Sequence, residues 1–402
     1  MISQLFKILW KQRSKNSLLM IEIVFSFIAL FVLSAAVIHY YKRYKEPLGM
    51  DYKNLWAIHV EQDWNLPAEL KLTDSVKNIK YELIKKQLLT NTQIISVTKT
   101  GFNDFLYAQS MWTSCINSNN KQYCYNTFSS DPDFAKTTGL KVIEGRWLMP
   151  EDELSTTKTI VINQRFKEEL FGKGPAAGKT ITVKEETNSY PIKIVGVYEH
   201  LKRQGEFTEE PNFLTEAAPK SQKYLSYSGL LIRLKEPIQA DFEANLVNDL
   251  VKFDKSFEYR IEKVEQMRRE YLLTELAPLI IGSAVVLFMI VNVMLGLFGS
   301  LWLNISRRKA EIGLRRALGS SSNKVLWHIL GETYCLVAVS VIIGFIFSMQ
   351  LFIYNIYNTP VSTLVQANLV SLGLIIVLCT ISAYAPARLA ASLKPAEALH
   401  EE

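Results

Sequence analysis

Charge is missing from a long stretch of this chain: no Asp, Glu, Lys or Arg occurs between Glu332 and Arg388. No water-soluble fold exposes so long an apolar run, so a purely soluble protein is excluded. Histidine is sparse, and His39, His59, His200, His328 and His400 show no metal-ligand spacing, so no metal centre is expected. No serine sits in a nucleophile elbow. The stretch Gly174-Pro-Ala-Ala-Gly-Lys-Thr180 looks like a phosphate-binding loop but fails its spacing. Four residues must separate the two glycines, whereas Gly174 leaves three and Gly172 leaves five before Gly178. Beta-branched Ile181-Thr182-Val183 follow where a helix should open. Acidic groups such as Glu151-Asp152-Glu153 read as solvated loop charges. Enzymatic chemistry, an ATPase within these residues and a cofactor bound by the chain are therefore not expected. Internal repeats and low-complexity tracts are absent as well.

What the sequence does contain is four apolar runs, Leu18–Ile38, Leu276–Leu303, Ile329–Ile353 and Leu364–Ala385. Each is long enough to cross a hydrocarbon core of about 30 Å, which takes about 20 residues. The first has 21 residues, longer than the roughly 7–15 of a signal peptide's apolar core, despite Ser34-Ala35-Ala36 near its end as a candidate cleavage site. Ahead of it, Ile2, Leu5, Phe6 and Leu9 form a stripe flanked by Lys7 and Lys11, the pattern of a short interfacial helix. The last two runs are separated by a turn-like cluster of Asn355, Asn358 and Pro360.

Basic residues set the expected orientation. Residues 42–273 hold 33 Lys+Arg against 32 Asp+Glu. The other 12 basic residues are Lys7, Lys11, Arg13, Lys15, Arg307, Arg308, Lys309, Arg315, Arg316, Lys324, Arg388 and Lys394. The positive-inside rule places the N-terminus, the 304–327 loop and the C-terminus in the cytoplasm and residues 42–273 outside. The net charge of +6 thus reflects topology and gives no reason to invoke nucleic acid. Glu22 and Glu332 lie four or five residues into their spans and are the intramembrane polar candidates. The pairs Gly296/Ser300 and Ala383/Ala387 have the spacing that lets helices approach closely.

The external region alternates helix and strand patterns. Helices are expected at Val76–Leu89, with Ile79, Leu83 and Leu88 on one side, at Gln164–Phe171, and at Ala240–Phe253, with Phe242, Leu246, Leu250 and Phe253. Strands are expected at Ile94–Thr100, Lys158–Asn163, Thr180–Lys184, Pro191–Tyr198 and Ser228–Lys235. Cys335 and Cys379 fall in spans and should pack as small hydrophobes. Cys115 and Cys124 are external and flank Asn119-Asn120, residue types suited to a two-residue hairpin turn. Paired residue numbers then sum to 239, which sets Cys115 opposite Cys124 at a non-hydrogen-bonded position. The Cα separation there is about 4.5 Å, at the short end of what a disulfide accepts. A four-residue loop would shift that pairing.

Between the second and third runs lies the stretch Arg307, Arg308, Lys309, Ala310, Glu311, Ile312, Gly313, Leu314, Arg315, Arg316, Ala317, Leu318, Gly319. Ala310, Gly313, Leu314, Ala317 and Leu318 recur at the spacing of an amphipathic helix. This stretch resembles the basic "R-E-I-G-x-R-R-A-x-G-A" element of FtsX-like permeases of ABC transporters, the MacB-like type above all. Gly139-Leu-Lys-Val-Ile-Glu-Gly-Arg-Trp147 resembles that family's "G-L-x-L-x-x-G-R-x-F". Leu170-Phe-Gly172, Gly178-Lys-Thr-Ile181 and Ile194-Val-Gly-Val197 resemble its "L-F-G … G-K-x-I … I-V-G-V" series. Ala385-Pro-Ala-Arg-Leu-Ala-Ala391 with Pro395-Ala-Glu-Ala-Leu399 resembles its C-terminal block. Ser320 stands where the family commonly has Ala, and the likeness is weak before residue 139.

The resemblance implies a helical membrane protein of four spans with a large α+β extracytoplasmic domain between the first and second. Expected boundaries are an interfacial helix over 1–17, spans at 18–40, 274–303, 328–353 and 364–386, a coupling loop over 304–327 and a tail over 387–402. Within the external domain (42–272), an inserted subdomain of 130–220 would divide a flanking one of 42–129 and 221–272. The family pattern further implies a non-catalytic permease subunit in the bacterial inner membrane, working as a homodimer or heterodimer. A separate ATP-binding subunit would hold ATP and Mg and dock on residues 307–319, driving movement of the external domain for export of a drug or peptide. The layout leaves room for a periplasmic or outer-membrane partner. A lipoprotein-releasing permease and a regulator of an extracytoplasmic cell-wall enzyme share these features and remain open alternatives.

Overall fold

The computed structural model describes residues 13–63, 65–67, 69, 71–101, 106–107, 112–118, 121–155, 157–184, 189–217, 227–354 and 359–392. The start of the expected interfacial helix, the Asn119-Asn120 turn, Asn355, Asn358 and the tail beyond residue 392 lie outside them. In chain order the elements begin α1 (Arg13–Lys45), β1 (Leu55–Glu61), α2 (Asp74–Leu88), β2 (Ile94–Gly101), β3 (Trp112–Ser118), β4 (Lys121–Ser130) and α3 (Phe134–Thr138). Next come β5 (Val142–Gly145), β6 (Lys158–Asn163), α4 (Gln164–Phe171), β7 (Thr180–Lys184), β8 (Ser189–Tyr198) and β9 (Phe213–Ala217). The rest are β10 (Tyr227–Leu234), α5 (Phe242–Phe253), β11 (Glu258–Lys263), α6 (Val264–Arg307), α7 (Lys309–Ala317), α8 (Ser322–Tyr354) and α9 (Val361–Ala391). They form two compact units, Arg43–Thr274 and Met1–Lys42 with Glu275–Glu402.

In the membrane unit, α1, α6, α8 and α9 are long and apolar enough to span a bilayer. Hydrocarbon cannot solvate a peptide group, so only a continuous helix satisfies these runs. The 44 residues of α6 rise about 66 Å at 1.5 Å each, roughly twice the thickness of a hydrocarbon core. Ile23, Phe27 and Leu30 of α1 pack with Val293, Leu297, Leu336 and Ile375. Gly344 lies so close to α1 that a Cβ there would stand 2.6 Å from the Phe27 ring. Side-chain hydrogen bonds stitch the helices: Ser348 Oγ donates to Asn368 Oδ1 at 3.0 Å, Ser371 Oγ to Ser34 Oγ at 3.4 Å and Ser382 Oγ to the Met294 carbonyl at 2.6 Å. Such bonds hold helices together where the hydrophobic effect cannot. Cys379 is fully buried and Cys335 partly so.

The α+β unit is built on one sheet with strand order β11-β1-β10-β2-β4-β9-β6-β8-β5 among the described residues, β3 pairing with β4 and β7 with β8. Its two halves meet at a single registered pair, Thr100 with Ser130. The β3–β4 hairpin pairs with β9 in the second half, so the join falls ahead of a boundary at residue 130. Asp131, 1% exposed, pins this seam. Its carboxylate accepts from Thr98 Oγ1 (2.5 Å), the Lys99 and Asp133 amides (3.0 Å each) and Lys85 Nζ (2.7 Å). Cys115 and Cys124 stand opposite each other in the hairpin, bonded at 1.99 Å with Cα atoms 4.0 Å apart.

Helix α2 corrects one expectation. Tyr81, Ile84 and Leu88 face the core with Phe242, Leu246 and Leu250 of α5, while Ile79 and Leu83 are exposed. The helix carries two apolar stripes, and polar anchors choose between them. Tyr81 donates from its hydroxyl to the Val60 carbonyl at 2.8 Å, and Lys80 and Lys85 reach Asp254 and Asp131. Phe253, expected on the core face of α5, is likewise exposed.

The loop that imitates a phosphate site has an internal anion. Glu144 Oε1 accepts from the amides of Ala176 (2.5 Å) and Ala177 (2.8 Å), and Lys167 Nζ lies 3.1 Å from Oε2. Burial pushes the Glu144 carboxyl up, but the Ala177 amide, Lys167 and the Ala176 amide outweigh it and hold it below its ordinary value. A depressed folded pKa contributes its full stability above the unfolded value and loses it as pH falls through the folded one. Glu144→Gln should therefore cost about 1–2 kcal/mol at neutral pH. Thermal melts of the two proteins should converge as pH drops below 4.5; an equal gap at neutral and acid pH would contradict this assignment.

Candidate functional site

The basic stretch forms a short helix between two turns. Helix α6 ends at Arg307, Arg308 leaves helical geometry (φ −106°, ψ 13°), and α7 resumes at Lys309. Gly319 closes it at φ +91°, a left-handed conformation that a side chain would strain. The Gly319 and Ser320 amides then donate to the carbonyls of Arg316 (3.1 Å) and Arg315 (3.0 Å), the usual end of a helix at glycine.

One face of α7 is packed and the other is free. Ile312, 8% exposed, and Gly313 are buried, Ile312 lying among Val325, Ile329, Ala383 and Ala387. The alanines of α9 leave room for it. Ala310, Leu314, Ala317 and Leu318 are exposed, Leu318 to 80%. The expected stripe therefore splits: Gly313 turns inward beside Ile312, and the other four positions face away.

Arg308 fastens the helix. Its Nη1 donates to both Glu332 oxygens at 2.9 and 3.0 Å, and its Nε to Glu311 Oε2 at 3.0 Å. Glu311 also accepts from Arg315 Nη2 at 2.7 Å. The bond from Arg308, aided by Arg315, holds the Glu311 carboxyl below its ordinary value, and Glu311 with Glu332 raises the Arg308 pKa further. His328 Nε2 stands 3.5 Å from Glu332 Oε1, beyond hydrogen-bond reach. A cavity of about 170 Å3 lies here, lined by Ile305, Arg308, Glu311, Arg315, Lys324 and His328 among others. Glu332 is thus tied into the basic segment. Glu22 lies elsewhere, against Gly296, where a Cβ would stand 2.9 Å from Oε2. Arg307 is exposed, Lys309 partly so, and Arg316 Nη1 reaches the Ser320 carbonyl at 3.4 Å.

The sequence pattern does not point to the pairing of Arg308 with Glu332 or to the packing of Ile312. No local signal links a residue at the break between α6 and α7 to one on α8, 24 positions along the chain.

Two family descriptions match the chain: a MacB-like periplasmic core domain over residues 17–248 and an FtsX-like permease C-terminal region over 283–395. Among relatives, an uncharacterized ABC transporter permease, YvrN, of Bacillus subtilis is 24% identical over 312 residues, 74% of this chain and 75% of that one. A macrolide export ATP-binding/permease protein, MacB 2, of Aeromonas hydrophila is 26% identical over 289 residues, 67% of this chain. The match spans only 42% of that relative's length. The crystal structure of the periplasmic region of MacB from Actinobacillus actinomycetemcomitans aligns with 57% of this chain and 97% of its own, at 14% identity and a TM-score of 0.38.

The Arg308 fork makes its own prediction. Arg308→Gln leaves Glu332 half-buried without its strongest partner and should loosen α7 by about 1–3 kcal/mol. Trypsin should then cut the detergent-solubilised chain after Arg315 and Arg316 about tenfold faster. An unchanged cleavage rate would show that Ile312 packing alone holds the helix.

Proposed function

The chain belongs to the MacB-like, FtsX-like family of ABC transporter permeases, and from that premise we propose that α7 is the docking element for a separate ATP-binding subunit. The observation that carries this reading is the exposed row of Ala310, Leu314, Ala317 and Leu318 on a helix whose other face is packed and pinned. Burying a side chain such as Leu314 in a partner is worth about 1.5–3 kcal/mol. Arg315 and Arg316 flank that row and supply charged contacts to the partner or to anionic lipid.

The basic residues orient the protein with both termini and α7 in the cytoplasm and residues 42–273 outside the bacterial inner membrane. ATP and Mg are held by the partner. Closure of the partner moves α7, and the continuous helix α6, with residues in both units, carries that motion outward. The work done outside is export of a drug, peptide or similar substrate, by a pair of such permeases, identical or related. The macrolide export named for the Aeromonas relative supports efflux.

Leu314→Asp tests the docking face. Leu314 is 53% exposed, so the variant should fold, insert and melt as the wild type does. Purified gently from native membranes, the tagged wild-type chain should carry an ATP-binding subunit, and the variant should lose at least about tenfold of it. Undiminished recovery with the variant would refute the docking face. A wild-type chain that brings down a stoichiometric external partner and no ATPase would instead favour a regulatory role.

A further inference from the structure

The irregular segment between β8 and β9, residues 199–212, touches both helix ends that enter the α+β unit. Lys202 is 2% exposed, an expensive place for an ammonium group unless it is fully bonded. Its Nζ donates to the Arg43 carbonyl at 2.9 Å and to the Glu206 carbonyl at 3.1 Å, and pairs with the Glu46 carboxylate at 2.6 Å. Arg43 in turn lies 3.3 Å from Glu209. These ties grip the last residues of α1 and those just beyond it.

Four residues away the same segment grips the start of α6. The carboxylate of Glu206, 4% exposed, pairs with Arg268 Nε. Gly205 adopts φ +104° directly over Tyr271, where a Cβ would stand 2.3 Å from the ring. The Phe207 ring lies between Tyr44 and Tyr271, with centroids 6.1 and 6.3 Å away.

The segment is also fastened to the sheet. Glu210 Oε1 accepts from the Leu201 amide at 3.0 Å and from Asn163 Nδ2 at 2.9 Å. Asn163, fully buried at the end of β6, accepts on Oδ1 from the Phe213 amide at 3.0 Å. Helix ends, segment and strands are thus joined by a short chain of charged or fully buried bonds.

We infer that residues 199–212 form a clasp that locks the end of α1 and the start of α6 to each other and delivers their displacement into β6 and β9. Its purpose rests on the drive proposed above; its existence does not. A loop that merely packs would let each helix end respond alone. A clasp makes them respond together, because Lys202 and Glu206 share one short backbone segment.

Hydrogen–deuterium exchange on the full chain in lipid nanodiscs separates the two. Glu46 has a side chain 44% exposed, so Glu46→Gln weakens the α1 tie without threatening the fold. The clasp predicts exchange about three- to tenfold faster at 43–52 and also at 264–274, with β1 and β10 unchanged. Arg268→Gln should give the reciprocal result, faster exchange at 43–52. A response confined to the mutated side, no response, or a rise throughout the sheet would each overturn the clasp. None of these readings involves the ATPase, so failure here is distinct from failure of docking at Leu314.

Discussion

A peptide N–H or C=O finds no partner in hydrocarbon, and the layout of this chain follows from that constraint. Among the described residues, the uncharged stretch from Thr333 to Ala387 contributes its apolar runs to α8 and α9. Once the backbone is satisfied within each helix, nothing apolar distinguishes a neighbouring helix from lipid. Specificity therefore falls to small residues and to polar side chains. Gly344 admits the Phe27 ring, Ala383 and Ala387 admit Ile312, and Asn368 and Ser371 bond outward to α8 and α1.

Outside the apolar runs, the joints are made by charges wholly or partly withdrawn from water. Asp131 at the seam of the sheet, Glu144 over the Ala176–Ala177 amides and Lys202 between the helix ends each collect at least three bonds. Arg308 at the break between α6 and α7 does the same. Desolvating a charge costs several kcal/mol unless every lone pair or proton is engaged. A site of that kind tolerates one geometry, which suits places where elements must meet at a set angle. Apolar packing alone tolerates sliding by a fraction of a residue.

What was legible in the sequence was what is local. The four membrane helices and the strands Lys158–Asn163 and Thr180–Lys184 announce themselves by run length and periodicity. The register that sets Cys115 against Cys124 follows from a nine-residue separation within one hairpin. Strand β1 has four consecutive buried residues, Leu55 to Ile58, and so shows no alternation. The five residues of β9 are too few to show one. The face of α2 depended on where Tyr81, Lys80 and Lys85 find partners, all far along the chain or on another element. The Arg308–Glu332 pair and the segment 199–212 were illegible for the same reason. Long-range charge pairing leaves no period.

Amphipathic spacing identifies α7 as a helix with an apolar stripe, but spacing alone assigns that stripe to either the protein's own interior or another surface. The structure supplies a rival for the interior in Ile312, a bulkier side chain one position from Gly313. Ile312 fills the space over Ala383 and Ala387, and Arg308 holds the helix in that rotation through Glu332. With the inward face taken, Leu314 and Leu318 have no intramolecular place to go. An apolar row that folding leaves exposed, on a helix that folding has fixed, costs solubility and gains the fold nothing. On the docking reading proposed above, Leu314 and Leu318 supply the apolar part of the surface that the partner would cover.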